Sequence, residues 1–432
     1  MTQLNKAVLL CLSCLLLFLL SGCGSSSTTT TAPNGFLYAA NSFRPGSMSA
    51  FTVTTGTLGH FSGSPFVTTG NAPYTVAAVS TKFLYAGIPA TQNGGVITRV
   101  LGRTLSGSVT GGIMLMPIKT DHTLDVPQMF ASGGDYDPIA VTPSGNFLYA
   151  ADLTTNHLAA FSIDSSKGTL TAIGPQGPPP GVPVGPDPFN VVVDPQGKFV
   201  FVANCHCRTN PDNQGSVSVF SIDTGSGVLT QVGSPFLLGG GGAQPVALAV
   251  SPDNQFLFVA SLDDKVYVAS ITNGTLADVA AVPLPVAGSI PVSIAVSVDG
   301  GNSVYTGNAG IRTISFFLNC MQTPVPTGCS TDANGNPLVP LVFQSNTSVG
   351  GTVGVILPDP TSIPATSTTS AIAPGHFLYV TDYDHGTIVV FTVTSTTACT
   401  TPPCTPIAGT PTQSGSAANT GGANPFGLAI AH

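Results

Sequence analysis

Short apolar runs recur along the whole chain, and turn residues join them in pairs. The clearest pair lies at residues 244–261 (QPVALAVSPDNQFLFVAS), where VALAV and FLFVA flank the turn cluster SPDN. Both runs are rich in Val, Leu, Ala and Phe and are bounded by Pro, Asp, Asn or Ser, which is typical of buried β-strands on either side of a tight turn. The pattern therefore predicts a repeated strand–turn–strand unit.

Seven copies of this unit can be aligned along the chain. Six of them are continuous and begin near residues 72, 137, 187, 244, 290 and 366. The seventh is split, because its first strand is NPFGLAIA at residues 424–431 and its second is GFLYAAN at residues 35–41. A unit shared between the two ends of a chain closes a ring, whereas an open solenoid needs capping repeats.

Two further strands follow each unit. After FVFVAN come GSVSVFSID at residues 215–223, the turn TGSG, and a last run that ends in GSPF. The polar and apolar residues of SVSVF alternate with a period of two, and Asp and Gly stand where a hairpin turn needs them. We therefore predict an all-β, seven-bladed β-propeller over residues 34–432. Its blades are four-stranded and antiparallel, and the C-terminal strand pairs with the N-terminal strands.

Composition supports a turn-rich β protein and excludes one class of partner. The chain has 50 Gly and 37 Pro, no Glu, and only 7% charged residues. The formal net charge of -8 disfavours a nucleic-acid partner, which requires a basic surface.

The first 23 residues read as a targeting segment. Lys6 precedes an apolar run at residues 7–20, which is shorter than the roughly 20 residues of a membrane span. The run ends in LSGC, which resembles a bacterial lipobox and predicts acylation at Cys23; an ordinary signal peptide is the alternative. Residues 24–33 (GSSSTTTTAP) then form a flexible tether. We expect an exported protein anchored by lipid to a membrane, on a periplasmic or cell-surface face.

Six cysteines of the exported part form three close pairs. They are Cys205 and Cys207, Cys320 and Cys329, and Cys399 and Cys404. In an oxidising compartment such pairs predict local disulfides. Zinc binding around the CHC sequence is the alternative, although its spacing does not match that of structural zinc sites.

The second strand of most units ends in a polar residue. In a propeller these strand ends lie at one face of the disc that the blades form. The residues are Asn41, Asp152, Asn204, Ser261, Asn308 and Asp382. Their oxygens could form a polar ring at the channel mouth, or they could close the turns by hydrogen bonding to the backbone. A Ca²⁺ site using Asp152, Asp263, Asp264 or Asp382 would lack a contiguous ligand loop, so we predict neither a metal nor another cofactor.

The long insertions separate between two faces of the predicted disc. On the face formed by second-to-third and blade-to-blade connections, which we call the upper face, fall residues 87–112, 174–187, 205–215, 345–362 and 412–423. On the lower face fall residues 319–336 and 395–406. Function is expected on the upper face, because loops from many blades converge there.

The repeated phrases SPDNQFLFVAS, GKFVFVAN, GSVSVFSID and GSPF resemble those of YVTN-type seven-bladed propellers, which are grouped with the lactonase family related to 6-phosphogluconolactonase. The resemblance covers nearly all of the mature chain and implies a lactone hydrolase as one function. Members of that family carry a His-rich stretch before a first strand, with Arg and Glu nearby. Here the equivalent position reads DPFN at residues 187–190, and Glu is absent.

The catalytic candidates that remain are His206 and Arg208 in one upper loop, and Asp382 and His385, with Asp384, in another. Because these groups are sparse, the sequence favours a monomeric binding or scaffolding module of the cell envelope. Its partner would be an envelope protein, a glycan or a small molecule. The alternative is a lactonase-like hydrolase acting on a sugar or other small lactone.

Overall fold

The structure, a computed structural model, describes most of the chain after residue 32. The described residues are 33–42, 45–68, 72–90, 111–130, 134–175, 180–207, 214–298, 300–326, 328–360, 376–393 and 410–431. They form seven antiparallel sheets of four or five strands, which are the blades of a β-propeller. The predicted lipid anchor Cys23 and the targeting segment lie outside these residues. The described part of the chain contains no helix with the length and hydropathy of a membrane span.

Each blade runs outward from an inner strand to a second strand. The inner strands of blades 1 to 7 are Pro425–Ala431, Val76–Val79, Tyr136–Val141, Pro188–Val193, Pro245–Val250, Pro291–Val296 and Val353–Pro358. The second strands are Gly35–Asn41, Phe83–Ile88, Phe147–Asp152, Phe199–Asn204, Phe256–Ser261, Ser303–Asn308 and Phe377–Asp382. Second strands are buried along almost their whole length, which explains their continuous apolar runs.

The third and outer strands complete each blade. The third strands are Ser47–Thr54, Gly112–Pro117, His157–Ile163, Ser216–Ile222, Lys265–Thr272, Thr313–Asn319 and Thr387–Val393. The outer strands are Thr57–His60, Gln128–Phe130, Leu170–Ile173, Leu229–Gln231, Thr275–Pro283, Leu341–Ser348 and Pro411–Gln413. Four blades add a short outer segment, at Phe66–Val67, Val182–Pro183, Phe236–Leu237 and Ala418–Asn419, and the 3-10 turn Leu238–Gly240 follows one of them.

The ring closes as the sequence predicts. Pro425–Ala431 pairs antiparallel with Gly35–Asn41, from Phe36 opposite Ala431 to Asn41 opposite Pro425. The seven inner strands contact one another in a complete circle, including the contact between Val353–Pro358 and Pro425–Ala431. The all-β, seven-bladed fold is therefore confirmed.

One strand position predicted from the sequence is wrong. The repeat predicts the inner strand of blade 7 shortly after residue 366, but the structure forms it from Val353–Pro358. Blades 2 to 6 join their inner and second strands by a short turn, whereas residues 359–376 intervene in blade 7. The supposed upper-face insertion at 345–362 therefore contains the end of Leu341–Ser348 and this inner strand.

On the lower face, neighbouring blades are joined by a repeated contact that we call the latch. The hydroxyl of Tyr85 in blade 2 donates to the carbonyl oxygen of Gly168 in blade 3, at 2.6 Å. A Cβ atom on Gly168 would lie 2.6 Å from the ring of Phe83, and the φ angle of Gly168 is +72°. Blades 3 and 4 repeat the contact with Tyr149, Phe147 and Gly227. The latch explains why the hairpin turns carry Gly.

Replacing Gly168 with Ala should lower the free energy of unfolding by about 2–4 kcal/mol. The side chain would combine a left-handed backbone conformation with overpacking against Phe83. Gly233→Ala is the matched control, since its φ is +65° but nothing lies within 4 Å of the added Cβ. Urea denaturation of both variants separates the two contributions. If both variants lose the same free energy of unfolding, the ring of Phe83 moves aside without an energetic penalty.

Candidate functional site

The polar residues that end the second strands are built into the blades. Asn41, Asn204 and Asn308 are fully buried, and the side-chain amide of each donates to two hydroxyl oxygens at the start of the third strand. Glycines of the incoming chain, Gly422 and Gly185, lie directly over Asn41 and Asn204. These amides therefore hold together the upper ends of blades 1, 4 and 6.

A buried apolar cluster lies where the inner strands begin, at the upper face. It combines residues from six of the seven blades: Tyr74, Phe189, Cys205, Val246, Val292, Ala309, Tyr383 and Phe426. These side chains offer few groups that could polarise an ester. Groups capable of chemistry on the upper face therefore lie in the loops around this cluster.

A histidine–aspartate pair lies in the second-to-third connection of blade 7. The Nδ1 atom of His385 lies 2.7 Å from Oδ2 of Asp382. The other oxygen of Asp382 accepts the backbone N–H groups of Asp384 and His385, both at 3.2 Å, so this turn fixes the carboxylate. The side chain of Asp382 is only 4% exposed, whereas that of His385 is 61% exposed. The arrangement is a buried carboxylate that orients an accessible imidazole.

Two further charged groups stand beside this pair. Oδ2 of Asp384 accepts the hydroxyl and the backbone N–H of Thr352, at 2.6 and 3.0 Å. The Nη2 atom of Arg312, from the equivalent loop of blade 6, lies 3.7 Å from the same oxygen. Gly351 allows the chain to pass so close to Asp382 that a Cβ atom there would collide with the carboxylate. Residues of blades 6 and 7 thus form one cluster at the upper face.

The environment of His385 favours its protonated form. The hydrogen bond to Asp382 and the negative charge of that carboxylate raise the pKa of His385 above its usual value of 6.5, and Asp384 adds to this effect. Arg312 acts in the opposite direction, but less strongly. With Nδ1 engaged by Asp382, Nε2 is the ring atom left to accept or donate a proton.

The structure groups the candidates of one predicted catalytic loop but not those of the other. Asp382, His385 and Asp384 are brought together, while His206 lies between Cys205 and Cys207, which form a disulfide. Among the described residues, no hydrogen bond or ion pair joins His206 to the His385 cluster, and Arg208 lies outside the described residues. Arg312, Thr352 and Gly351 were not predicted as site residues. The repeat pattern could have indicated Arg312, because Arg312 lies in the second-to-third connection of blade 6, as His385 does in blade 7.

The disulfide predictions are supported where the structure describes them. Cys205 pairs with Cys207 and Cys320 with Cys329, whereas Cys399 and Cys404 lie outside the described residues. Within the described ranges, no group of three or more His, Cys or Asp side chains is arranged to hold a metal ion. Asp264 instead accepts the backbone N–H groups of Gly288 and Ile290.

A cavity lined mainly by apolar and aromatic residues lies elsewhere in the described part of the chain. It has a volume of about 310 Å³, and its walls include Phe130, Tyr136, Phe161 and Ile173 of blades 2 and 3. These side chains could hold an apolar group but contain no acid–base pair. The His385 cluster is therefore the better candidate for chemistry, although it lies at an open surface.

Comparison with known proteins agrees with this architecture. Residues 111–240 and 182–293 match the model of the lactonase family, described as a seven-bladed β-propeller. These matches span residues 111–293, less than half of the chain, and over this span the chain is similar to lactonase-family propellers. It is 24% identical to the 6-phosphogluconolactonase of Bacillus subtilis over 295 residues, which cover 65% of this chain and 74% of that protein.

Solved lactonase-family structures share the fold. A putative 6-phosphogluconolactonase from Bacteroides uniformis superposes with a TM-score of 0.60 at 15% identity, over 92% of this chain and 99% of that one. A periplasmic gluconolactonase from Pseudomonas aeruginosa does so with a TM-score of 0.56 at 17% identity, with the same coverage. At these identities the likeness concerns the fold alone.

The family match corrects one prediction from the sequence. A binding or scaffolding module was favoured because catalytic groups seemed too sparse. The relatives are 6-phosphogluconolactonases, and the matched family is that of lactonases, which contradicts the scaffold hypothesis and favours the hydrolase alternative. The prediction failed because it gave the absence of the family's His and Glu pattern more weight than the resemblance to the family itself.

Proposed function

We propose that this protein is a lactone hydrolase whose general base is His385, oriented by Asp382. The observation that carries the proposal is the 2.7 Å contact between a buried carboxylate and the Nδ1 atom of an exposed imidazole. Similarity to the lactonase family supports lactones as the substrate class.

The chemistry needs one proton acceptor and one source of positive charge. Nε2 of neutral His385 takes a proton from water, and the water oxygen attacks the lactone carbonyl. Arg312 supplies positive charge near the oxyanion that develops, as in other acyl-transfer sites. The ring C–O bond then breaks, and the imidazolium returns its proton to the departing alkoxide. The product is the open hydroxy acid.

The direct test is hydrolysis of glucono-1,5-lactone by the purified protein. The release of acid is measured and compared with the spontaneous rate of hydrolysis. Turnover should rise with pH through the pKa of His385, because only the neutral imidazole can accept the proton. Absence of turnover across sugar and acyl lactones would refute the proposal.

Replacing Asp382 with Asn should move the acidic limb of the pH–rate profile to lower pH. The substitution removes the carboxylate charge that raises the pKa of His385, so the imidazole becomes neutral at lower pH. The profile of kcat/KM against pH measures the shift.

Asp152→Asn is the matched control for this experiment. Asp152 ends the second strand of blade 3, is buried, and accepts two backbone N–H groups as Asp382 does, but Thr155 stands where blade 7 has His385. If Asp152→Asn shifts the acidic limb of the kcat/KM profile as far as Asp382→Asn does, Asp382 does not set the pKa of the catalytic base.

A further inference from the structure

A cleft lies between blades 2 and 3 on the lower face, away from the His385 cluster. Its volume is about 460 Å³, within the range of about 300–1,000 Å³ that is typical of small-molecule sites. The turns between the inner and second strands of both blades form its walls, together with the third-to-outer turn of blade 3. Half-buried apolar side chains, among them Ala78, Val79 and Val141, form part of its lining.

Four polar side chains in the lining of this cleft have hydrogen-bonding groups to offer a ligand. They are Ser80, Lys82, Asn146 and Ser165. All four residues are exposed, and within the described part of the chain none of these side chains takes part in a hydrogen bond or an ion pair. Together they present one ammonium group, two hydroxyls, and one amide that both donates and accepts.

The charge of the cleft favours an anion. Of the described residues that line it, Lys82 alone is charged. The acid next to the lining is Asp164, which precedes Ser165. Its Oδ1 atom accepts the backbone N–H groups of Ser166 and Lys167, and the Lys167 ammonium partly offsets its charge. A carboxylate that enters the cleft is therefore attracted to Lys82.

The next cleft around the ring shows what is particular to this one. The cleft between blades 3 and 4 is built from equivalent turns but has a volume of only about 240 Å³. Lys82 directly precedes the second strand of blade 2, and Asn146 holds the same position in blade 3. The smaller cleft therefore has an amide in place of the ammonium group. Lys198, which holds this position in blade 4, lines neither cleft.

We propose that the cleft between blades 2 and 3 is a second binding site, and that it takes a small polyhydroxylated carboxylate. Lys82 pairs with the carboxylate. Ser80, Asn146 and Ser165 hydrogen bond to the hydroxyl groups. A hydroxy acid released by the proposed hydrolase belongs to this class of ligand, but the site does not depend on that reaction.

The probe is D-gluconate, titrated calorimetrically into the full chain at low salt. We expect saturable binding that added salt weakens, because the contact with Lys82 is an ion pair near the surface. Acetate has the charge without the hydroxyl groups, and glucitol has the hydroxyl groups without the charge. Each should bind about threefold more weakly or worse, since each loses part of the hydrogen bonding.

Lys82→Gln should weaken the binding of gluconate by about three- to tenfold, the usual effect of removing one exposed charge-assisted contact. Lys198→Gln is the matched control. Lys198 has the same position before its strand and is also exposed, but it lies outside the cleft, so its replacement should leave the affinity unchanged.

Three results would overturn the inference. They are the absence of saturable binding, equal effects of Lys82→Gln and Lys198→Gln, and binding that His385→Gln abolishes while Lys82→Gln leaves it intact. The last result would place gluconate at the His385 cluster. Lys82-dependent binding by a protein that hydrolyses no lactone would refute the proposed function and leave this site in place.

Discussion

Replacing His385 with Gln is expected to lower kcat/KM for lactone hydrolysis by a factor of about 10²–10⁴, the usual contribution of a positioned general base. Gln can still hydrogen bond to Asp382, but it cannot accept a proton at neutral pH. The His385 side chain is 61% exposed, so folding should be unaffected and the melting temperature unchanged. Initial rates measured alongside thermal unfolding separate the two effects.

His206→Gln is the informative control, because His206 is the competing upper-face candidate. It lies in the short disulfide loop between Cys205 and Cys207, and we expect its replacement to leave the rate within about twofold, as for a group outside the reaction. If His206→Gln abolishes turnover and His385→Gln does not, the site belongs to blade 4, and the assignment to blade 7 is wrong.

Deleting residues 424–432 should unfold the whole domain. The lost strand buries Phe426 and Leu428, and large-to-small changes at such side chains alone cost about 2–5 kcal/mol each. Together with the lost hydrogen bonds to Gly35–Asn41, the deficit reaches the total stability of a typical domain. Circular dichroism and solubility report the outcome.

A synthetic peptide of residues 424–432 should restore folding to the truncated chain if ring closure is the cause. A peptide with Gly427→Val is its matched control. A Cβ atom at Gly427 would collide with the carbonyl oxygen of Tyr74, so this peptide should not rescue. Unchanged melting of the truncated chain would disprove the role assigned to the closing strand.

The sequence predicts the fold well because the fold depends on a repeat. Alternating and continuous apolar runs fix which strands are buried, and the split unit at residues 35–41 and 424–431 fixes the closure. Blade 7 was misassigned because its inner and second strands are separated by residues 359–376, a distance that no repeat length encodes. Strand spacing is reliable only where the turn is short.

The site is predicted less completely, because it is assembled between blades. Asp382 and His385 are three residues apart, so a local pattern could suggest them. Arg312 and Thr352 come from other parts of the chain, and only the packing of blade 6 on blade 7 brings them to Asp384. For Arg312 the only signal is its place in the equivalent loop of the repeat, and for Thr352 the sequence carries no local signal.

The latch on the lower face has a consequence for how such rings can evolve. Its two halves belong to different blades: Phe83 with Gly168, Phe147 with Gly227, and Phe377 with Gly56, which joins the last blade to the first. At the junction of blades 1 and 2, His122 replaces the glycine and stacks on Phe36 with ring centroids 3.5 Å apart. A duplicated or transplanted blade therefore fits only beside neighbours that carry the complementary half. The unit of exchange in this ring is the junction between two blades.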